Sequence, residues 1–173
     1  MKNILYLHIG SNEGNRHDFL AFARSEISQL IGEIVRCSGI YETKAWGVEH
    51  QPDFLNQALK IYTELTPGKI LEIIHKIENR SGRKRTMRWS SRTLDIDILF
   101  FNDSIIESND LTIPHKMLHE RNFALVPMAE IAGSLMHPVK EKTIDQLLEE
   151  CRDKLEVTKV ESRKSEGECN TIS

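Results

Sequence analysis

The chain has 173 residues, of which 39% are hydrophobic and 28% are charged, and its formal net charge is −3. We expect residues 1–160 to form one domain with a buried core, followed by a disordered polar tail over residues 161–173. The small net charge argues against a general nucleic-acid binder, and no apolar run reaches transmembrane length. Cys37, Cys151 and Cys169 lack a metal-binding spacing and predict reduced thiols in a cytoplasmic protein.

Hydrophobic periodicity predicts alternating strands and helices along the first two thirds of the chain. A strand over residues 3–9 is followed by a helix over 17–31, and strands follow over 34–41 and 54–65. Thr66 and Pro67 form a helix start, because threonine caps helices and proline suits their first position. That helix ends at Gly82, and an apolar strand follows over residues 94–101. The remaining predicted elements are a short strand at 105–106 and helices at 119–125 and 143–155.

The order β-α-β-β-α-β is that of a ferredoxin-like fold. We therefore predict an α+β domain with an antiparallel sheet, helices packed on it, and additional C-terminal elements. This fold hosts many unrelated functions, so function has to be argued from particular residues.

The most informative residues are Asp95 and Asp97, which stand two apart in an apolar strand. Side chains alternate faces along a strand, so both carboxylates point the same way, and Leu94, Ile96, Ile98 and Phe100 point into the core. Two carboxylates about 7 Å apart repel each other unless a cation lies beside them. Oxygen ligands suit Mg²⁺, which often accompanies phosphates. A strand with one solvated face is the alternative.

A basic loop precedes this strand. Residues 80–92 contain six arginines and lysines and no acid, which leaves the rest of the chain at a net charge of about −9. The loop could be a solvated surface, an RNA-binding segment with Trp89 as a stacking platform, or a mobile flap that closes over a polyphosphate.

Several single residues allow both a structural and a functional interpretation. Phe54 and Asn56 share one face of their strand, where an aromatic ring and an amide would suit a flat heterocycle, although Phe54 could equally be a core residue. Phe123 is ambiguous in the same way. His115 follows Pro114 and is either structural or a ligand of the site.

Taken together, these residues resemble the hydroxymethyldihydropterin pyrophosphokinase family of folate biosynthesis. The resemblance covers about residues 4–140 and includes a highly specific Arg-x-x-Asp-x-Asp segment at Arg92 to Asp97. The other matching segments, in chain order, are Gly10-Ser-Asn12, Tyr41-Glu-Thr43 with Gly47, Gln51-Pro-Asp-Phe54-Leu-Asn56, Gly82-Arg83, Arg88-Trp89, Pro114-His115 and Arg121-Asn-Phe123.

The resemblance implies pyrophosphoryl transfer from ATP to the hydroxymethyl oxygen of 6-hydroxymethyl-7,8-dihydropterin, with release of AMP. It implies that Asp95 and Asp97 hold two Mg²⁺ ions, and that Arg83 and Arg92 stabilise phosphate charge during catalysis. The resemblance assigns ATP binding to Trp89, Arg92, Ile98, Leu111, Thr112, His115 and Arg121, and pterin binding to Thr43, Trp46, Phe54, Asn56 and Phe123.

The chain departs from the family pattern at Ser90, His75 and Lys116, and at Lys44-Ala45 in the pterin loop. We expect the first three departures to alter ATP affinity without abolishing the chemistry. We also expect a cytoplasmic, single-domain monomer with no nucleic-acid or membrane partner. Two rival classes remain open: a nucleotidyltransferase with a polymerase-like palm, and a ferredoxin-like RNA-binding module.

Overall fold

The computed structural model of the protein describes residues 1–44, 51–82 and 93–161. The part of the chain predicted to have the β-α-β-β-α-β order forms β1 (Asn3–Ser11), α1 (Arg16–Leu30), β2 (Glu33–Cys37), β3 (Tyr41–Thr43), β4 (Phe54–Thr63), α2 (Pro67–Arg80) and β5 (Asp95–Phe101). The later elements are β6 (Ile106–Glu107), β7 (Thr112–Ile113), a 3₁₀ turn (Leu118–Glu120), α3 (Asn122–Ala132), β8 (Met136–His137), β9 (Lys142–Thr143), α4 (Ile144–Glu150) and β10 (Val157–Lys159).

The main sheet has the strand order β10-β3-β4-β1-β5, and β2 also pairs with β4. Every pairing in this sheet is antiparallel. The β-α-β-β-α-β core and its antiparallel sheet confirm the predicted ferredoxin-like α+β fold, and β10 at the edge is one of the expected C-terminal additions.

Two hydrophobic layers cover opposite faces of the sheet. Helices α1 and α2 pack on one face, where Leu7 and Ile61 belong to their core cluster. Helices α3 and α4 pack on the other face, against Tyr6, Ala58 and Phe100. Because residues alternate along each strand, His8 of β1, Asn56 of β4 and the two aspartates of β5 lie on the α3 side, where the candidate site forms.

The predicted start of α2 is confirmed. The Thr66 hydroxyl accepts a hydrogen bond from the Lys69 amide, and Pro67 occupies the first turn. The helix ends at Arg80, and Gly82 has a φ angle of +81°, a conformation that glycine adopts without the cost a Cβ atom imposes.

The predicted strand over residues 34–41 is wrong as one element, because the structure divides it into β2 and β3. Ser38 separates them. Its amide donates to the Ala58 carbonyl at 2.9 Å, and its hydroxyl accepts from the Ala58 amide at 2.9 Å. The Ser38 hydroxyl thus accepts a hydrogen bond that a backbone carbonyl would otherwise accept, and the chain bends before β3 pairs with β4.

Three further predictions need correction. Phe100 packs in the α3–α4 layer and not with Ile98, because the β1–β5 register shifts at Tyr6/Leu7. The helix predicted at 119–125 is a 3₁₀ turn followed by the longer α3. The helix predicted at 143–155 begins at a capping box on Thr143 but ends at Glu150, after which the chain extends and pairs with β3.

Cys37 is disulfide-bonded, so the expectation of three reduced thiols is wrong for this residue, whereas Cys151 is free. None of the helices within the described residues is both long and apolar enough to span a bilayer. Residues 162–173 of the predicted tail lie outside the described residues.

Candidate active site

The two carboxylates lie at the start of β5, as the strand pattern predicts. Asp95 and Asp97 are partly exposed, whereas Ile96 and Ile98 are buried against α1 and α2. Because β5 is an edge strand, its outer amides need partners from outside the sheet. Buried Glu78 of α2 supplies one, since its carboxylate accepts from the Ile96 amide at 3.3 Å. Helix α2 therefore fixes the strand that presents both aspartates.

A cavity of about 380 Å³ opens beside these carboxylates, a volume typical of small-molecule sites. Its lining brings together six of the residues predicted to bind ATP or metal with six that were not. The lining residues are Leu71, His75, Glu78, Asp95, Ile96, Asp97, Ile98, Asp110, Leu111, Thr112, His115 and Lys116. Four of them are acidic, so a polyphosphate could enter only together with cations.

His115 is held beside Asp97 in a defined orientation. Its backbone amide donates to the Leu99 carbonyl at 3.0 Å, and its Nδ1 accepts from the Met117 amide at 3.1 Å. Burial, with a smaller contribution from the Arg121 charge, lowers the pKa of His115 to about 4. Since Nδ1 is an acceptor, the neutral ring carries its proton on Nε2, which lies 3.9 Å from Asp97 Oδ1.

The predicted pterin residues Thr43, Phe54 and Asn56 lie in β3 and β4, which are three and two strands away from β5 in the sheet. Thr43 and Phe54 are register partners in β3 and β4, and Phe54 is partly exposed. The Asn56 amide group is buried and donates to Thr43 Oγ1 at 2.9 Å. This bond fixes the amide plane, so its carbonyl oxygen keeps a set direction. Together these groups form a flat aromatic and amide surface.

The first turn of α3 supplies the opposite wall. The Arg121 guanidinium lies 5.6 Å from the centre of the Phe123 ring, within cation–π range. Asp153 anchors this turn, because its carboxylate accepts from the Asn122 amide at 3.1 Å and its carbonyl accepts from the Asn122 side chain at 2.6 Å. The C-terminal segment thereby positions a phosphate-binding candidate and a ring-binding candidate.

His8 is a residue of this region that the sequence did not identify as functional. It pairs with Asp97 across β1 and β5, and its ring centre lies 5.7 Å from that of Phe123. Burial lowers the pKa of His8 to about 4, although nearby Asp95 opposes the shift. Its polar character inside an apolar strand was a signal, but only the strand register shows which residues it faces.

The Gly10-Ser-Asn12 segment, which also matches the family pattern, makes structural contacts. Fully buried Asn12 donates its side-chain amide to the Pro52 carbonyl at 3.2 Å and the Gln51 side chain at 3.4 Å. Gly10 permits a close approach, because a Cβ atom there would lie 3.2 Å from Asn56 Oδ1 and 3.4 Å from His8 Cε1. These residues tie the strand ends together beneath the site.

Four predicted site residues, Trp46, Arg83, Trp89 and Arg92, lie outside the described residues, as does the departure at Ser90. Within the described part of the chain, no three His, Cys, Asp or Glu side chains form a metal-binding group. The carboxylate pair still fits Mg²⁺, because this ion commonly takes one or two protein carboxylates and fills its other positions with water and phosphate oxygens.

The histidine pKa values predict an acid-sensitive fold. For His8 the pKa falls from an ordinary 6.5 to about 4 on folding, so the unfolded chain binds more protons between these pH values. The contribution of neutral His8 to the free energy of unfolding is therefore fully present above pH 6.5 and is lost as the pH falls towards 4. Between pH 7 and pH 4, the free energy of unfolding should decrease by up to about 3 kcal/mol less in the His8→Phe variant than in the wild type. Urea unfolding at both pH values measures this, and equal losses in both proteins would contradict it.

Comparison with known proteins places this site in a family. Residues 6–133 match the model of the 7,8-dihydro-6-hydroxymethylpterin-pyrophosphokinase (HPPK) family. The 2-amino-4-hydroxy-6-hydroxymethyldihydropteridine pyrophosphokinase of Haemophilus influenzae is 42% identical over 149 residues, which cover 86% of this chain and 92% of the relative. The enzyme of the same name from Bacillus subtilis is 42% identical over 147 residues, covering 84% and 88%.

A solved structure of Plasmodium falciparum HPPK-DHPS shares the fold, with a TM-score of 0.72 at 18% identity. The match covers 86% of this chain but only 44% of that larger chain. The matches to the two bacterial relatives extend over most of this chain and most of each relative. The described site residues lie on one face of the sheet. The chain therefore belongs to the 7,8-dihydro-6-hydroxymethylpterin-pyrophosphokinase family.

Proposed function

We propose that the protein transfers the pyrophosphoryl group of ATP to the hydroxymethyl group of 6-hydroxymethyl-7,8-dihydropterin, releasing AMP, as a step of folate biosynthesis. One observation supports this most directly. Asp95 and Asp97 line a cavity of about 380 Å³, and the strand register places Asp95 level with Asn56, because both are paired with Gly10 of β1 between them. A donor nucleotide and a flat acceptor would thus meet at a metal-binding edge.

The nucleotide half of the proposal follows from the lining of the cavity. Ile98, Leu111 and Thr112 supply apolar and backbone groups against which adenine would lie. His75 and Lys116, where the chain departs from the family pattern, line the same cavity. We expect these two residues to tune ATP affinity.

The phosphates would lie towards Asp95 and Asp97, which we propose to hold two Mg²⁺ ions. When bound, these ions would neutralise phosphate charge beside the acidic lining. Neutral His115 would donate from Nε2 to a phosphate oxygen, and Arg121 would add a permanent positive charge. The His115 ring is held by the Met117 amide and the Arg121 guanidinium lies against the Phe123 ring, so little ordering is required on binding.

The basic loop supplies the remaining charges in this proposal. Arg83 and Arg92 would stabilise the charge that develops on the transferring group, and Trp89 would help to close the loop over the nucleotide. These three assignments rest on the family resemblance and the charge pattern of residues 80–92.

The pterin would lie between Phe54 and Phe123, and its edge would accept or donate hydrogen bonds at Asn56, near Thr43 and Trp46. Its hydroxymethyl oxygen attacks the β-phosphorus and forms one O–P bond. The bond between the β-phosphorus and the α,β-bridging oxygen breaks, and that oxygen leaves with AMP. The hydroxyl proton leaves with solvent.

Product analysis tests the proposal. The protein is incubated with ATP and Mg²⁺, with and without 6-hydroxymethyl-7,8-dihydropterin, and nucleotides are separated by chromatography. We expect AMP only when the pterin and the metal are both present, together with a diphosphorylated pterin. A nucleotidyltransferase would release pyrophosphate instead, and RNA binding that is salt-sensitive, without turnover, would support the RNA-binding alternative.

We also propose that the protein acts in the cytoplasm as a monomer on these two small substrates, without a nucleic-acid or membrane partner. Size-exclusion chromatography with light scattering tests the monomeric state, and a mass of about twice the 19.9 kDa of one chain would contradict it.

A further inference from the structure

His8 is an unusual residue for the centre of a sheet. Its side chain is only 3% exposed, and in the strand register it stands between Ala58 of β4 and Asp97 of β5. The face of the sheet on which it lies is the α3 side, which also carries Asn56 and both aspartates. An apolar side chain would fill such a position without any cost of burying polar atoms.

Neither ring nitrogen of His8 makes a hydrogen bond within the part of the chain that the structure describes. The Asn56 side chain donates to Thr43 Oγ1, and its interaction with the imidazole is weak and outside hydrogen-bond geometry. A neutral imidazole has one donor and one acceptor, and leaving each unused in a buried place costs about 1–3 kcal/mol. Buried groups of this kind are uncommon and call for a functional explanation.

The neighbours of His8 indicate what that function is. Its ring packs at a tilt on Phe123, and the strand register pairs it with Asp97. These contacts place the imidazole at the junction of two groups of residues, the ring-binding group and the phosphate-binding group. In the proposed reaction, the hydroxymethyl arm of the acceptor has to cross this junction.

We propose that His8 is a specificity-determining residue that hydrogen-bonds the bound dihydropterin at the edge carrying its hydroxymethyl arm. The inference rests on the proposed function. The two ring nitrogens can provide a donor and an acceptor to a hydroxyl or a ring nitrogen of the ligand. Phe123 covers the imidazole and is itself only partly buried.

Two variants separate this role from simple packing. His8→Phe keeps a flat ring against Phe123 but removes both nitrogens. His8→Asn is smaller but restores a donor and an acceptor near the position of Nδ1. Calorimetry gives the Kd of 6-hydroxymethyl-7,8-dihydropterin in the presence of a saturating non-hydrolysable ATP analogue and Mg²⁺, and separately the Kd of the analogue. Circular dichroism and thermal unfolding show whether each variant is folded.

We expect His8→Phe to weaken pterin binding about 10-fold while the Kd of the ATP analogue changes less than about 2-fold. His8→Asn should recover most of the pterin affinity. In turnover, the same pattern should appear as a higher KM for the pterin with an unchanged KM for ATP.

Three outcomes would overturn the inference. Wild-type pterin affinity in His8→Phe would show that the nitrogens are not used. Equal weakening of both ligands in both variants would show a purely structural role. Pterin binding by neither the wild type nor a variant would overturn the proposed function and this inference with it, whereas the first two outcomes leave the proposed function intact.

Discussion

The Asp97→Ala variant is expected to turn over about a thousandfold more slowly than the wild type while keeping its fold. Asp97 is the carboxylate that faces both the nucleotide cavity and His115, whose Nε2 lies 3.9 Å away. Its loss would remove one of the two proposed metal ligands from a cavity with an acidic lining. Metal stabilisation of that charge amounts to several kcal/mol, and each 1.4 kcal/mol changes the rate about tenfold.

The fold should survive this change because Asp97 is partly exposed, whereas the neighbouring Ile96 and Ile98 carry the packing of β5. Asp103→Ala is a matched control, since Asp103 is an exposed aspartate in the turn directly after β5. AMP formation is measured for the three proteins at saturating ATP, Mg²⁺ and pterin. A wild-type rate in Asp97→Ala would disprove the proposed role of this carboxylate.

The Phe123→Ala variant is expected to bind the pterin about 30-fold more weakly, with ATP-analogue affinity nearly unchanged. Its ring lies at the start of α3, between the Arg121 guanidinium and His8, and forms one wall of the proposed ring site. Loss of one aromatic face removes both buried apolar area and the stacking contribution, which together amount to roughly 2 kcal/mol. Calorimetric titration of the pterin in the presence of the nucleotide analogue measures the change.

Phe22→Ala is the control for this experiment. Phe22 lies in α1 and packs on the opposite face of the sheet, so its loss should lower stability without affecting pterin affinity. Phe123→Leu, which keeps apolar volume, should fall between Phe123→Ala and the wild type. Unchanged pterin binding in Phe123→Ala would place the heterocycle away from α3 and would remove Phe123 from the proposed site.

Local sequence patterns predicted most elements of the core. The apolar runs predicted β1, β4 and β5, and the Thr66-Pro67 pair predicted the start of α2, because these features act over a few residues. The division of residues 34–41 into two strands was not predictable in this way. It depends on a hydrogen bond between the Ser38 side chain and Ala58, which lies 20 positions along the chain.

In the candidate site, too, some features follow from neighbouring residues and others depend on distant parts of the chain. The spacing of Asp95 and Asp97 predicted that both carboxylates share one face, since strand geometry alone decides this. The sequence did not predict that Glu78 would bind the edge of β5 or that His8 would lie among the site residues. Both facts depend on which elements pack together, and no short-range pattern carries that information.

By itself, the sequence determined the chemical character of this protein. The order of the predicted strands and helices indicated the fold class, and the paired carboxylates, the basic segment and the ordered motifs indicated the family resemblance, because residue type and local periodicity are properties of the chain. Only the tertiary structure decided which residues meet. The antiparallel register places His8 beside Asp97, and α3 brings Phe123 over that pair. Such contacts join distant segments, and they form only when burial of the two apolar layers fixes the strands and helices relative to one another.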